Sequence, residues 1–490
     1  MDFRSVLYIL GNLLLLLAAA LLLPLITAIT MQGSGPLERY EVLAFSMAIA
    51  AAAIVGLALR ASFETDLRKV SHREGAAIVT FSWVLFSLIG GLPFVITGAT
   101  GFTDAIFETM SGFTTTGATI LPNVEILPAG LQLWRHQTQW MGGMGIVVLS
   151  VAVLPMLGAG GYRLFKAEAP GGATFERNMP RIKDTAKVLW ALYLGLTLAE
   201  LLLLRVGGMS WYDALCHAFS TMSTGGFSTR GASLAGWPSP FIQWTIIVFM
   251  LLAGINFDIY QQLLVGPRRA VLKNFELRVY LLIALLGGGL CFAVLYHSGQ
   301  VAGGALEPTA RGAFFQVLSI STTTGYGTED FDLWPDLLRL LLLLMMFAGG
   351  STGSTAGGMK VARMVIFFKA ALAELRRTVN PKAVLVVRLG EKALDRTLVS
   401  NVQAFILMWL GILAVVTIIL TALGMDMLSA FSGAVANLGN IGPGLGSVGP
   451  TKNFAQVPEL GKWVLIFAQL MGRLEVYSVL VLFLRRSWVR

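Results

Sequence analysis

Long apolar runs alternate with short basic or glycine-rich interruptions along the whole chain. A bilayer core of about 30 Å takes roughly 20 apolar residues in a helix. Runs that approach or exceed that length lie at 6–30, 41–60, 76–98, 134–158, 187–206, 241–265, 276–298, 336–370, 400–423 and 460–485. The first run reads as a retained helix rather than a signal peptide. Its apolar stretch is long, no small-residue cleavage site stands out, and a second hydrophobic run follows closely.

Four shorter segments sit among these runs, at 103–113, 212–222, 311–322 and 427–438. At about 1.5 Å per residue they predict helices of roughly 15–18 Å, half a bilayer. Each leads into a glycine-centred loop: Thr115-Thr116-Gly117, Ser223-Thr224-Gly225, Thr323-Thr324-Gly325 and Asn440-Ile441-Gly442. The loop glycines recur after 108 residues (117 to 225), 100 (225 to 325) and 117 (325 to 442). The pattern predicts an all-α integral membrane protein. Four tandem units, each helix, half-helix, loop, helix, surround a central pore. An N-terminal two-helix hairpin (1–66) precedes units at 67–160, 161–268, 269–380 and 381–490.

Irregular backbone at membrane depth is tolerated where it is buried in protein or lines a watery cavity, which sends all four loops to the axis. Glycine adopts backbone angles closed to other residues, so a carbonyl can turn inward with no side chain in the way. Rings of such carbonyls replace the hydration shell of potassium. Thr and Ser hydroxyls before the glycines extend the oxygen lining. Half-helices aiming their partly negative C-termini at the axis favour a cation.

Composition and charge agree with a membrane chain. Apolar residues make up 56% and charged residues 13%, and mean hydropathy is +0.73. The net charge of +9 would suit nucleic acid if it were spread or patched. Basic residues instead collect in alternate loops, at 60–73, 163–187, 268–278, 360–396 and 485–490. The positive-inside rule makes these loops and both termini cytoplasmic, leaves the glycine loops on the outer side, and argues against a nucleic-acid partner. Trp134, Trp211, Trp237, Trp334 and Trp463 are predicted at outer interfaces. Cys216 and Cys291 suggest neither a disulfide framework nor a metal site.

The segment Gly349-Gly350-Ser351-Thr352-Gly353-Ser354-Thr355-Ala356-Gly357-Gly358-Met359-Lys360 interrupts the run at 336–370. Each glycine costs a helix about 1 kcal/mol relative to alanine, so the helix is expected to break here. A packing kink is the alternative. A phosphate-binding loop fails, since Lys360 is followed by Val361 rather than Ser or Thr. Arg473 lies inside the last apolar run, where a charge costs about 2.5–3.5 kcal/mol. It faces a cavity or pairs locally, for instance with Glu475 or with backbone carbonyls. His136 and His217 read as polar interface residues rather than ligands. Asp104 and Glu108 on the first half-helix, and Asp213 on the second, attract cations to the mouth or cap helices. Asn256 and Asp258 fall in the second unit's inner helix.

These motifs resemble the ion-conducting subunits of the Trk/Ktr/HKT superfamily of potassium transporters, most closely the bacterial TrkH type. Gln139-Trp140-Met141-Gly142-Gly143-Met144-Gly145, Asn440 through Gly446, the run 349–360 and Gly472-Arg473-Leu474-Glu475 carry the resemblance, which extends over essentially all 490 residues. It implies filter glycines at Gly117, Gly225, Gly325 and Gly442. Glycine rather than serine at the first favours potassium. It further implies that 349–360 is an intramembrane gating loop and that Arg473 lies beneath the filter and opposes cations. K+ would be cargo, and the chain itself would hold no nucleotide. A cytosolic TrkA-like regulatory subunit binding NAD or ATP, a homodimer with one pore per protomer, and a bacterial inner-membrane location follow from the same resemblance. Two alternatives stay open: the potassium-binding subunit of a Kdp-like P-type ATPase complex, and a proton- or sodium-coupled symporter. No catalytic residue is expected in this chain.

Overall fold

The computed structural model describes residues 2–33, 35–63, 72–152, 179–265, 271, 273–299, 301–383, 385–390, 392–485 and 488. The basic residues Arg68, Lys69, Arg163, Lys166, Arg177, Arg268, Arg269, Arg486 and Arg490 lie outside the described residues, as do the expected unit boundaries at 66–67, 160–161 and 268–269.

The apolar runs fold as helices. The N-terminal pair is α1 (Phe3–Ala20), continued by α2 (Leu22–Thr30), and α3 (Glu41–Ser62). Their backbones cross at two glycines: a Cβ on Gly11 would lie 2.8 Å from the Gly56 carbonyl oxygen, and one on Gly56 2.9 Å from that of Gly11. Small residues give apolar helices this close approach where lipid offers no hydrophobic drive.

Four sets follow: α4 (His72–Ile96), α5 (Phe102–Phe113) and α6 (Ala129–Ala152); α7 (Met179–Val206), α8 (Trp211–Met222), then α9 (Pro240–Ala253) and α10 (Phe257–Val265). The third is α11 (Phe275–Ser298), α12 (Leu306–Ser321), then α13 (Asp336–Ala348) and α14 (Val361–Val379). The fourth is α15 (Arg396–Ala422), α16 (Met427–Leu438), then α17 (Glu459–Arg473) and α18 (Tyr477–Leu480). A two-stranded antiparallel sheet, β1 (Arg388–Leu389) with β2 (Lys392–Ala393), precedes α15.

Among the described residues, six helices are long and apolar enough to cross a membrane, and up to eight spans result if each bent pair counts as one. The half-helices α5, α8 and α16 match their predicted spans to within one residue. The third, α12, starts five residues earlier than expected. Pro308 falls in its first turn, where the backbone N–H groups lack intrahelical partners anyway, so proline does not stop the helix. Ser210 caps α8 by accepting from the Asp213 N–H, and Asp426 caps α16 by accepting from the Ser429 N–H. The Ser429 hydroxyl and N–H hold the Asp426 carboxyl below its usual range.

Two apolar runs read as straight spans are not straight. The run at 241–265 turns by 92° between α9 and α10, and 460–485 turns by 111° between α17 and Tyr477–Phe483. Neither bend contains proline. At the first, the Asn256 side chain accepts from the Asp258 N–H and starts α10. At the second, Glu475 and Val476 adopt left-handed backbone angles (φ 58° and 54°), rare for a β-branched residue.

Each half-helix packs on the inner helix of the preceding set: α8 on α6, α12 on α9, α16 on α13. The first half-helix, α5, packs on α17 of the last set. The order closes on itself.

Candidate functional site: a ring of four loops

Each loop leaves its half-helix through the same backbone bond. The N–H of Thr116, Gly225, Thr324 and Ile441 donates to the carbonyl of Ser111, Ser220, Ser319 and Ala436, at 2.8 Å in all four. The residue before each of these, Thr115, Thr224, Thr323 and Asn440, is left-handed, with φ between 53° and 60°. The residue after is a glycine with positive φ: Gly117, Gly226, Gly325 and Gly442. The equivalent triplet of the second loop is therefore Thr224-Gly225-Gly226, one residue later than the sequence reading. Ser223 instead occupies the C-cap position of α8, matching Thr114, Thr322 and Gly439 in the other half-helices. Two adjacent glycines made the register ambiguous, and the hydrogen bond to Ser220 fixes it.

The four loops touch in sequence. A Cβ on Gly117 would lie 2.1 Å from the Gly225 oxygen, on Gly226 1.9 Å from that of Thr324, on Gly325 1.9 Å from that of Ile441, and on Gly442 2.8 Å from that of Thr116. Carbonyl oxygen meets glycine Cα around a closed ring. Any side chain at these four glycines would strike a neighbouring carbonyl and also force a strained φ. On one face the four glycines border a cavity of about 120 Å³, open at its mouth, with Arg135, Arg230 and Lys452 among its walls. That is room for several waters.

The segment 349–360 lies against the other face. The α13 helix ends at Ala348 and α14 begins at Val361, with Gly349, Gly353, Gly358 and Lys360 at positive φ. The break expected from the glycines is present. The segment touches three of the four sets. The Gly357 N–H donates to Thr323 Oγ1 at 2.6 Å, and Thr355 Oγ1 donates to the carbonyls of Met222 (3.1 Å) and Ala253 (3.2 Å). A Cβ on Gly357 would lie 2.4 Å from the Gly439 oxygen. Ser351 N–H donates to Gly254 O at 2.9 Å. Ser354 turns back on Ser351, and Lys360 Nζ donates to Ala356 O.

Arg473 is buried and joins this segment to the first set. Its Nη1 donates to Thr355 O at 2.7 Å and Nη2 to Gly142 O at 3.3 Å, while Nε has no hydrogen-bond partner among the described residues. Of the local partners expected for it, backbone carbonyls are the ones it meets, whereas Glu475 is held by Arg363 at 2.6 Å.

Other expectations fare unevenly. His136 and His217 are wholly buried, not interfacial. His136 Nδ1 bonds Ser220 Oγ at 2.7 Å and His217 Nε2 bonds Ser228 Oγ at 3.0 Å, both bracing the second loop. Trp134 and Trp334 are buried too, Trp134 donating to Gly90 O at 2.8 Å, because α6 and the start of α13 are enclosed; Trp211 and Trp463 are exposed. Asp104 pairs with Lys462 at 2.6 Å, and Glu108 is buried against Arg135 at 2.8 Å, so neither is a free acid at the mouth. Asp104 does not cap α5, whose N-cap is Gly101. Asp213 shares the α8 cap with Ser210.

Three buried residues hold places that the sequence did not assign to them. Glu276 accepts from the N–H of Thr352 (2.6 Å) and Ala362 (3.3 Å), holding both sides of the 349–360 break. Gln139 grips the second loop. Glu200 places a carboxyl inside α7 with no hydrogen-bond partner among the described residues. A lone acid in an apolar run was the available signal for Glu200; Glu276 and Gln139 reveal themselves only through partners far away in sequence.

An all-α, multi-pass membrane chain whose half-helices deliver four glycine loops to one ring is built like a protein that handles an ion within the bilayer. The chain belongs to the TrkH family of cation transport proteins, whose model matches residues 42–488. It is 39% identical to the Trk system potassium uptake protein TrkH of Salmonella typhimurium and 38% identical to that of Escherichia coli, over the full length of both chains in each case. The crystal structure of the potassium transporter TrkH from Vibrio parahaemolyticus superposes with a TM-score of 0.90 at 36% identity, covering all of both chains.

Proposed function

We propose that this chain conducts K+ into the bacterial cell across the cytoplasmic membrane, through a gated pore whose filter is the four-loop ring. The closed circuit of carbonyl-to-glycine contacts carries the reading: in it, carbonyls of Thr115, Thr116 and Gly117 and their counterparts substitute for the water shell of a potassium ion. Each loop offers few oxygen layers, apart from Gly325-Tyr326-Gly327, so the filter is short. The names of the relatives support potassium as cargo.

In this reading 349–360 is the gate and Arg473 its electrostatic reinforcement. The segment occupies the face opposite the mouth, held by hydrogen bonds that a modest displacement would release. Both termini and the basic stretch 360–396 face the cytoplasm, where a TrkA-like regulator binding NAD or ATP docks. The functional unit is a homodimer.

Cation flux into liposomes holding only this protein tests the reading, comparing K+ with Na+ with and without a proton gradient. K+-selective flux independent of the gradient, lost in Gly226→Ser, is the expected result. Uptake strictly dependent on the gradient would make the protein a symporter. Absence of flux would point to an obligatory catalytic partner, as in a Kdp-like complex.

A further inference from the structure

Gln139 is wholly buried on α6, and its side chain reaches the second loop. Its Nε2 donates to Gly225 O at 2.6 Å and its Oε1 accepts from Phe227 N–H at 3.2 Å. The two bonds fall on either side of Gly226, the ring glycine of that loop. They also fix the amide's orientation, since the reverse would oppose donor to donor and acceptor to acceptor.

The second loop needs such a clamp for a reason visible in its sequence. Where the others carry Thr116, Thr324 and Ile441, it carries Gly225, so it has two consecutive glycines and no side chain at that position. A Cβ on Gly225 would lie 2.4 Å from Gln139 Cδ and 2.6 Å from Oε1. Gln139 thus fills the space that a side chain would take, and Gly225 is glycine because Gln139 is there. The oxygen it grips is also the one against which Gly117 packs. A carbonyl has two lone pairs; Gln139 engages one and thereby sets where the other points.

We propose that Gln139 is a specificity-determining positioning residue: it orients the Gly225–Gly226 peptide and through it the ring's choice between K+ and Na+. This rests on the reading of the ring as the K+ path.

The test is the ratio of K+ to Na+ flux in liposomes, on full-length protein shown to be monodisperse. Gln139→Ala is expected to lower the ratio about tenfold through loss of a buried hydrogen bond to the ring, with K+ flux persisting. Gln139→Glu keeps the volume and the acceptor for Phe227 but loses the donor to Gly225; it lowers the ratio too, and carries the test if the alanine variant fails to fold. Gly225→Thr alone collides with Gln139 and loses selectivity. Gln139→Ala with Gly225→Thr recreates the Thr-Gly arrangement of the first and third loops, and returns the ratio to within about twofold of the parent. An unchanged ratio in the alanine and glutamate variants, or an equal fall of both fluxes, overturns the proposal. A parent protein that does not prefer K+ overturns the reading of the ring itself.

Discussion

Arg473 carries a buried positive charge whose hydrogen bonds go to carbonyls rather than a carboxylate. The nearby Glu475 is committed to Arg363. A cation within about 8 Å of such a charge is repelled by about 2 kcal/mol at an effective dielectric near 20. Arg473→Gln keeps a hydrogen-bond donor and removes the charge, so K+ flux in regulator-free liposomes is expected to rise about tenfold or more. No rise would mean that the guanidinium only ties 349–360 to α6. Arg473 was legible in the sequence because a charge in an apolar run is conspicuous. The register of the second loop was not, because in Thr224-Gly225-Gly226 either glycine satisfies a motif and only the bond to Ser220 selects one.

At the scale of elements, the broken helix and the bent helix next to it explain one another. The turn after α9 frees backbone groups that the 349–360 segment satisfies: Ser351 N–H meets Gly254 O, and Gly353 O accepts from Phe257 N–H. Glycine density announced the break in 349–360. The bend at 254–256 stayed hidden, because apolar residues continue on both sides and its partners come from a segment about a hundred residues later in the chain. The same interlock makes the segment testable. Gly357→Ala would press a methyl to 2.4 Å from the Gly439 oxygen, so the segment must move off the ring, and K+ flux without the regulator is expected to increase. Unchanged or lower flux would remove 349–360 as the closing element. Glu276→Ala strips the carboxylate from two backbone donors, Thr352 and Ala362. The loss of these charge-assisted bonds is expected to cost about 1.5–3 kcal/mol, read as a lower melting temperature in detergent, with a matching rise in basal flux.

For the whole molecule, the helices, half-helices and their order were legible because apolar length is a strong signal in lipid. The repeat also announced units surrounding an axis; which helices meet at the seam was not legible, since α5 meets α17 across the entire chain. Orientation follows from charge alone and can be checked apart from the ring. The only two cysteines, Cys216 and Cys291, are buried, so single reporters can be placed with little background. Leu333, 76% exposed, follows the third loop and belongs to the mouth side. Asn380, exposed at the end of α14, lies among the basic residues that the positive-inside rule retains in the cytoplasm. A membrane-impermeant thiol reagent applied to intact cells is expected to label Leu333→Cys and spare Asn380→Cys; inside-out vesicles reverse the pattern. Labelling of Asn380→Cys from outside would invert the protein. The 349–360 segment would then face the exterior, where a cytosolic regulator could not reach it, and the gate would have to be sought on the other face of the ring.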